Sequence, residues 1–578
     1  MNNAQIADTF DHVADLLEFQ GANPFRIRAY RNGARTIRDL AEPLAALVDN
    51  RQHSLTDIPG IGTDLAEKCV SLLQTGQLPL LEELRAAIPP GVLEVMRVPG
   101  LGPKKASLLH RELGIGDLQQ LELACREQKV RQLKGFGAKS EQAILDGIPL
   151  IVAAAQRLRW ADADRVAHGI REHMQRCPAI EQLAFAGSYR RGRETVGDLD
   201  LLTVSADAAT VMDCLAECPD VTTVIARGPT KMSVRVHHGL QVDLRVVPAP
   251  SFGAALQYFT GSKQHNVVVR TRAKACGLKI NEYGVFRMEG DHEVPVAGAT
   301  EADVYAALGL PCFPPELREA RQEFVWAEAG TLPVLVTLED IRGDLHMHTT
   351  ASDGKGTVAE MVASARRRGW EYIAITDHSQ RVSMARGLDG QRLRQQWHEI
   401  DACNRDCGDG FLVLKGVECD ILEKGGMDLP DDVLAEANWV LASIHYGQKQ
   451  SSQQITERLL EAIEHPYVSA IAHPTGRLIS RREPYEFDWE SVWKAAKQHG
   501  KCLELNANPE RLDLDDVHCA AARSAGIPVV INSDAHSPAG MDVMAYGILQ
   551  ARRGGLTRPD VVNTRSWSEI RELGWGRG

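Results

Sequence analysis

Ile373-Ala-Ile-Thr-Asp377-His378-Ser379 is an aliphatic run that stops on a carboxylate and an imidazole. Five other segments between residues 344 and 536 share that design: Asp344-Leu-His346-Met-His348-Thr349, Gly416-Val-Glu418-Cys-Asp420, Ser443-Ile-His445-Tyr-Gly447, Ala472-His473-Pro474 and Asn532-Ser-Asp534-Ala-His536. Nearly every one ends a β-branched or aliphatic run, such as Val529-Val-Ile531. An α/β barrel gathers its functional side chains at such strand ends. A single His beside an apolar run reads equally as a hydrogen-bonded core residue; six segments in order point to a polynuclear metallohydrolase. Alternating strand and helix patterns from about Asp340 to 573 fit the barrel.

Upstream the texture differs. Residues 1–150 show helical periodicity broken by three similar turns: Ile58-Pro-Gly60-Ile-Gly62, Val98-Pro-Gly100-Leu-Gly102-Pro-Lys104-Lys105 and Leu133-Lys-Gly135-Phe-Gly137-Ala-Lys139. Glycines let the backbone turn tightly and approach a partner surface. The helix that follows offers unpaired amides and a positive dipole end, which suit a phosphate. One such turn is also an ordinary helix connection; three copies, two followed by lysines, favour contact with the DNA backbone. They resemble the helix-hairpin-helix motif, which makes Gly60, Gly62, Gly100, Gly102, Lys104, Lys105, Gly135, Gly137 and Lys139 the expected DNA contacts.

From about residue 151 strands and helices mix. Asp198 and Asp200 are two apart on an apparent strand, so both carboxylates project from one face. Asp243 lies mid-strand between Val242 and Leu244, where an unpaired buried charge is costly. Three such acids can hold two magnesium ions for an in-line phosphoryl displacement; a lone Asp-x-Asp fits a solvated edge strand as well. The surrounding words decide. Gly187-Ser188-x-x-Arg191 followed by Gly197-Asp198-Leu199-Asp200 resembles the nucleotidyltransferase superfamily, and Tyr258-Phe259-Thr260-Gly261-Ser262 with Asn266 and Arg270 resembles family X DNA polymerases of the polymerase beta type. The resemblance implies that Asp198, Asp200 and Asp243 bind the catalytic Mg²⁺ or Mn²⁺ and that Asp243 helps activate the primer hydroxyl. It further implies a nucleotide site of Gly187, Ser188 and Arg191 at the triphosphate, Tyr258, Phe259 and Gly261 at the sugar, Asn266 at the base edge and Arg270 near the template. Lys68 falls where that family's Schiff-base lysine falls, which implies a lyase; Asp64 and Phe25 depart from the pattern, and the other reading of Lys68 is a phosphate contact.

The C-terminal segments resemble the PHP (polymerase and histidinol phosphatase) domain. Carried over position by position, the expected ligands are His346, His348, Asp353, His378, Glu418, His445, His473, Asp534 and His536. Nine N/O ligands without thiolate suit up to three divalent ions, Mn²⁺ and/or Zn²⁺. Asp377 and Asp420 read as supports for ligands, and Arg477 as either a phosphate contact or a surface arginine.

The fold expected is thus a multidomain α+β and α/β chain: a helical helix-hairpin-helix region, a nucleotidyltransferase palm and a C-terminal distorted (β/α)7 PHP barrel. Expected boundaries are 1–84 (lyase-like N-terminal helical domain), 85–150 (helix-hairpin-helix), 151–250 (palm), 251–318 (nucleotide and template binding), 319–339 (linker) and 340–573 (PHP). The net charge of −12 is concentrated: −2 over residues 1–150, −1 over 151–320 and −9 over 321–578. The excess acid lies where cations would neutralise it, so DNA contact upstream rests on local clusters rather than a global field. Twelve cysteines without a CxxC pair argue against a zinc ribbon and for free thiols. No export signal or spanning segment is visible, so a cytoplasmic monomer is expected, acting on gapped or primer-template DNA and dNTPs. Other readings are a PHP small-molecule phosphatase, a structural PHP domain, or a non-catalytic DNA scaffold.

Overall fold

A computed structural model describes residues 1, 3–40, 44–49, 54–58, 60–89, 91–98, 101–154, 157–289 and 292–577. The described chain divides into two units, one of Met1–Arg157 with Arg235–Gln241 and one of Leu158–Val234 with Val242–Gly578.

Helices dominate residues 1–157 and start where the sequence tells them to. Asn23 caps Pro24–Arg38, its Oδ1 accepting from the Phe25 N–H at 2.9 Å, with proline at the first helical position. The three glycine turns close on one pattern: Ile61 N–H donates to Ile58 O, Leu101 N–H to Val98 O and Phe136 N–H to Leu133 O, at 3.0, 2.9 and 3.0 Å. Each leads into a helix, Thr63–Thr75, Pro103–Leu113 or Ala138–Ala154. Gly60 and Gly135 hold φ of 93° and 94°, a left-handed conformation that a side chain would strain. Phe10 and Tyr30 meet edge to face at 5.5 Å within the core beneath.

The second unit opens with a five-stranded sheet in the order Gln182–Phe185, Asp198–Val204, Gln241–Val247, Lys231–Val236, Val221–Arg227. Helices Phe252–Thr260 and Lys263–Ala275 follow, then an antiparallel meander of Leu278–Asn281, Gly284–Glu289 and His292–Ala297. The segment 319–339, read from sequence as a linker, contains helix Glu323–Ala329, whose Phe324 joins the core beside that meander.

The C-terminal part is a seven-stranded all-parallel sheet in strict chain order: Gly343–Asp344, Tyr372–Ile375, Leu412–Asp420, Trp439–Ser443, Ala470–Ile471, Cys502–Asn506 and Val529–Asn532. A parallel bridge between Met347 and Ala535, with His348 N–H donating to Ala535 O at 2.8 Å, brings first strand and last together and nearly closes the barrel. The strands are buried on both faces, which is why they read as continuous apolar runs. Connecting helices begin at capping boxes, Thr357 with Glu360 and Ser451 with Gln454. Barrel and palm are joined by buried charges: Arg553 donates to Asp516 at 2.6 Å, to Glu319 at 3.1 Å and to the Arg191 carbonyl at 2.7 Å.

Candidate functional site

On the polymerase-like side, Asp198 and Asp200 sit at the start of their strand, and helix Gly187–Arg190 packs against it. Gly187 has no room to be anything else: a Cβ there would stand 2.3 Å from Asp200 Oδ2. Burial pushes the Asp200 carboxyl up, and Asp198 and Asp243 push it further, to about 7, the like-charge signature of carboxylates brought together. Asp243, on the neighbouring strand, accepts from Ser233 Oγ. A cleft of about 320 Å³ is lined by Gly187, Ser188, Arg191, Tyr258, Phe259, Gly261, Asn266 and Arg270 together with Asp198 and Asp200. The sequence motif had brought all ten to one place. Lys263, in the same wall, was missed; its only sequence signal is its position right after Gly261-Ser262.

Several of these groups are held rather than free. Arg191 Nε donates to Glu319 at 3.1 Å, and its Nη1 to the Thr260 carbonyl. Arg190, the neighbouring guanidinium, grips Glu301 bidentately at 2.9 and 2.7 Å. Asn266 donates to the Tyr258 carbonyl at 2.7 Å and accepts from Gln257 at 2.8 Å, which fixes the Tyr258-Phe259 turn. Gly261, at φ 68° on a cis bond to Ser262, leaves Arg191 passage.

At the barrel mouth the nine expected ligand positions converge. Glu418 is the hub: its carboxylate oxygens lie 2.7 Å from His378 Nδ1, 2.9 Å from His473 Nε2, 3.4 Å from His445 Nε2 and 3.5 Å from His346 Nε2. Asp534 Oδ1 is 3.2 Å from His348 Nε2 and 3.6 Å from His346 Nε2, and Asp353 Oδ2 is 3.4 Å from His536 and 3.6 Å from His378. Three groups could each hold an ion: His348/Asp353/His378/His536, His346/His348/Asp534 and His378/Glu418/His445, sharing His348 and His378.

The donor set fits divalent cations on its own terms. His346 Nε2 and His348 Nε2 are buried and make no well-aligned hydrogen bond among the described residues, which is costly unless something occupies the space between them. Burial, then His378 and His536, push His348 down to about 4. Burial alone would lower His378, yet Glu418 and Asp353 outweigh it and raise it to about 10. Three imidazoles have one nitrogen already engaged, His346 Nδ1 with Glu504 at 2.7 Å, His445 Nδ1 with Asp420 at 3.0 Å and His536 Nδ1 with the Asp534 carbonyl at 2.9 Å, which leaves Nε2 to ligate. Asp377 accepts from Thr349 N–H at 2.8 Å and from Ser352, which precedes Asp353. His473 and Asp534 hold positive φ, 29° and 53°, strain of about 1–3 kcal/mol each that surrounding bonds must hold in place.

Glu504 is the residue sequence reasoning overlooked. It also accepts the His473 N–H at 2.7 Å and Asn532 Nδ2 at 2.9 Å. Cys502-Leu-Glu504-Leu-Asn506 has the same grammar as the six segments, but carries no histidine to draw the eye. Arg477 is largely buried rather than on the surface; it donates to Glu194 at 2.8 Å and to the Arg511 and Leu512 carbonyls.

In the helical unit, Gly62, Gly102 and Gly137 are exposed, with open space where a side chain would stand. Gly62 and Gly102 start their helices without a side-chain cap, whereas the Gly137 N–H is taken by Ser140 at 2.8 Å. Lys104 and Lys139 are exposed, and Lys105 lies 5.4 Å from the Phe136 ring. Gly100 lies outside the described residues. Lys68 is paired with Asp64, which would have to release it before any attack on a sugar aldehyde.

Comparison with known proteins matches four stretches of the chain. Residues 1–78 match the helix-hairpin-helix domain, 92–148 the SAM-like helix-hairpin-helix tandem, 255–319 the DNA polymerase beta thumb and 344–508 the PHP domain. The chain is 40% identical over 99% of both lengths to the DNA polymerase/3'-5' exonuclease PolX of Bacillus subtilis. It is 25% identical to the DNA polymerase lambda of Rattus norvegicus over 55% of this chain and 56% of that one. A third of it, 33%, is 33% identical to 78% of a Probable phosphatase of Acetivibrio thermocellus.

Proposed function

The chain belongs to the family X DNA polymerases that carry a C-terminal PHP domain, and on that footing we propose an enzyme with two active sites. One is a DNA-directed DNA polymerase that fills short gaps in repair by two-metal nucleotidyl transfer; the other is a metal-dependent nuclease that processes DNA 3′ ends as a 3′–5′ exonuclease. What carries the reading is the presence in one chain of a cleft of about 320 Å³ faced by paired aspartates and a barrel mouth where eight of the nine candidate ligands fall into three ion-sized groups.

Asp198, Asp200 and Asp243 would hold Mg²⁺ or Mn²⁺, and the nine barrel side chains up to three Mn²⁺ or Zn²⁺. Bound cations supply charge neutralisation at phosphate oxygens and lower the pKa of water. The chain's residues do the rest. Ser188, Arg191 and Lys263 bind the triphosphate, Tyr258 and Phe259 hold the sugar, Asn266 meets the base, and Arg270 approaches the template. Asp243 accepts the proton of the primer 3′ hydroxyl. In the barrel, Glu504 and Asp420 fix the tautomers of His346 and His445, which leaves their Nε2 lone pairs, on the Glu418 side, for a cation. The exposed hairpin glycines and Lys104, Lys105 and Lys139 grip the DNA backbone without reading sequence. The six-part division at residues 84, 150, 250, 318 and 339 is part of the same proposal.

Among the relatives, the Probable phosphatase of Acetivibrio thermocellus points to the competing reading, a small-ester phosphatase. Turnover of a 3′-ended DNA oligonucleotide and of histidinol phosphate by the full chain with Mn²⁺ decides: preference for DNA is expected, and preference for histidinol phosphate overturns the nuclease.

A further inference from the structure

The barrel centre opens, at Asp534 and His536, into a cavity of about 530 Å³. That is within the ~300–1,000 Å³ of ordinary ligand pockets and larger than a phosphate group alone requires. Its far wall does not come from the barrel. Arg159, Asp162 and Arg165 belong to helix Trp160–Met174 and the residue before it, on the palm side. Tyr546, from helix Met544–Arg553, closes the gap between the two.

The structure assigns this wall, we propose, as the DNA-binding subsite of the hydrolase: Tyr546 stacks on a base next to the scissile phosphate, and Arg165 takes a neighbouring phosphate of the same strand. The inference rests on the nuclease reading above and names what selects DNA over a small ester.

Three observations converge on it. The first is a rigid ring. Tyr546 sits edge-on to Trp160 at 5.7 Å; Trp160 is stacked on Tyr189 at 5.1 Å and 4°, with its Nε1–H donating to the Tyr189 carbonyl at 2.8 Å. A ring whose orientation is fixed loses little freedom when a base stacks on it. The second is an available cation. The Arg165 side chain is 78% exposed, and the partly buried Asp162 it pairs with is already bonded to Arg159, so the guanidinium can turn to a phosphate. The third is charge bookkeeping on the wall itself. Its two acids other than Asp534, namely Asp162 and Glu510, are both covered by Arg159, at 2.9 and 2.5 Å. The Arg159–Glu510 bond, with Arg477–Glu194 at 2.8 Å, ties the palm wall to the barrel. A fixed ring beside an available guanidinium is the chemistry of single-stranded nucleic acid.

The test uses the full chain with Mn²⁺ and compares Arg165→Ala, Arg165→Lys and Tyr546→Ala on a labelled single-stranded oligonucleotide and on p-nitrophenyl phosphate. The ratio of kcat/KM for the oligonucleotide to that for the ester is expected to fall about tenfold in each alanine variant, chiefly through KM. Arg165→Ala should also flatten the salt dependence of oligonucleotide KM by about 0.7 in log–log slope, and Arg165→Lys should restore it. Unchanged ratios and slopes, or equal losses on both substrates, overturn the inference while leaving the nuclease in place. If the unaltered chain does not cut the oligonucleotide at all, the nuclease reading and this one fall together.

Discussion

Replacing Glu504 by Gln tests whether the barrel mouth was built for cations. Its carboxylate accepts from His346 Nδ1 and from the His473 backbone, both at 2.7 Å, and from Asn532 at 2.9 Å. Glutamine keeps the shape but turns one acceptor oxygen into an NH₂, which then confronts a donor. Whichever way the amide turns, at least one charge-assisted bond is lost, worth about 1.5–3 kcal/mol. At 1.36 kcal/mol per tenfold that is roughly a 10- to 100-fold weaker site, the range seen when supports of ligating histidines are removed. Mn²⁺ titration of the apoprotein by calorimetry, with the Mn²⁺ dependence of oligonucleotide degradation alongside, measures it. Primer extension should stay within twofold, because Glu504 lies in the barrel and touches nothing in the aspartate cleft. Unchanged Mn²⁺ affinity would refute the reasoning, since Glu504 would then be merely a buried acid; an equal loss of primer extension would point to damage of the whole unit.

Gly187→Ala should lower primer-extension kcat by about 100-fold or more, because a Cβ 2.3 Å from Asp200 Oδ2 must displace that carboxylate by about 1 Å; single-turnover kinetics at saturating dNTP reads it. Lys104→Ala should weaken binding of duplex DNA alike for all sequences and reduce the log–log salt slope by about 0.9, checked by fluorescence anisotropy. Burial pushes the Glu319 carboxyl up, but Arg553, Arg191, Arg193 and Arg321 outweigh it and hold it at about 2. With the folded pKa below the unfolded one, its stabilisation is complete above about pH 4.5 and lost as pH falls towards 2. Glu319→Gln should therefore lower the urea midpoint at pH 7 and make it less sensitive to acid between pH 4.5 and 3; parallel acid profiles for both chains would contradict the assignment.

The barrel and its candidate ligand positions were legible because period and chemistry coincide: an apolar run buried on both faces gives way to polar residues at the strand's carboxyl end, so His378, His445 and His473 announce themselves. The aspartate cleft was legible for a different reason, since Gly187 and Gly261 are forced by close approach to Asp200 and Arg191. What the sequence did not disclose are partners distant along the chain. Glu504 lies 158 residues from His346 and Glu194 lies 283 from Arg477, so nothing local marks either pair. The same applies to residues 319–339, whose Gly330 and Pro333 suggest a connector. The fold instead places Glu319 between Arg191 and Arg553, joining the nucleotide cleft to the barrel.

That junction makes separability of the two sites the sharpest question. In the proposed enzyme extension falls to Asp198 and Asp200 and degradation to the candidate barrel ligands, within one unit. Two double variants of the full chain, Asp198→Ala with Asp200→Ala and His346→Ala with His348→Ala, should be assayed for primer extension and for Mn²⁺-dependent degradation of a 3′-ended oligonucleotide. The first should abolish extension and keep degradation; the second should do the reverse. Loss of degradation in the aspartate variant, or its survival in the histidine variant, would contradict the two-site account.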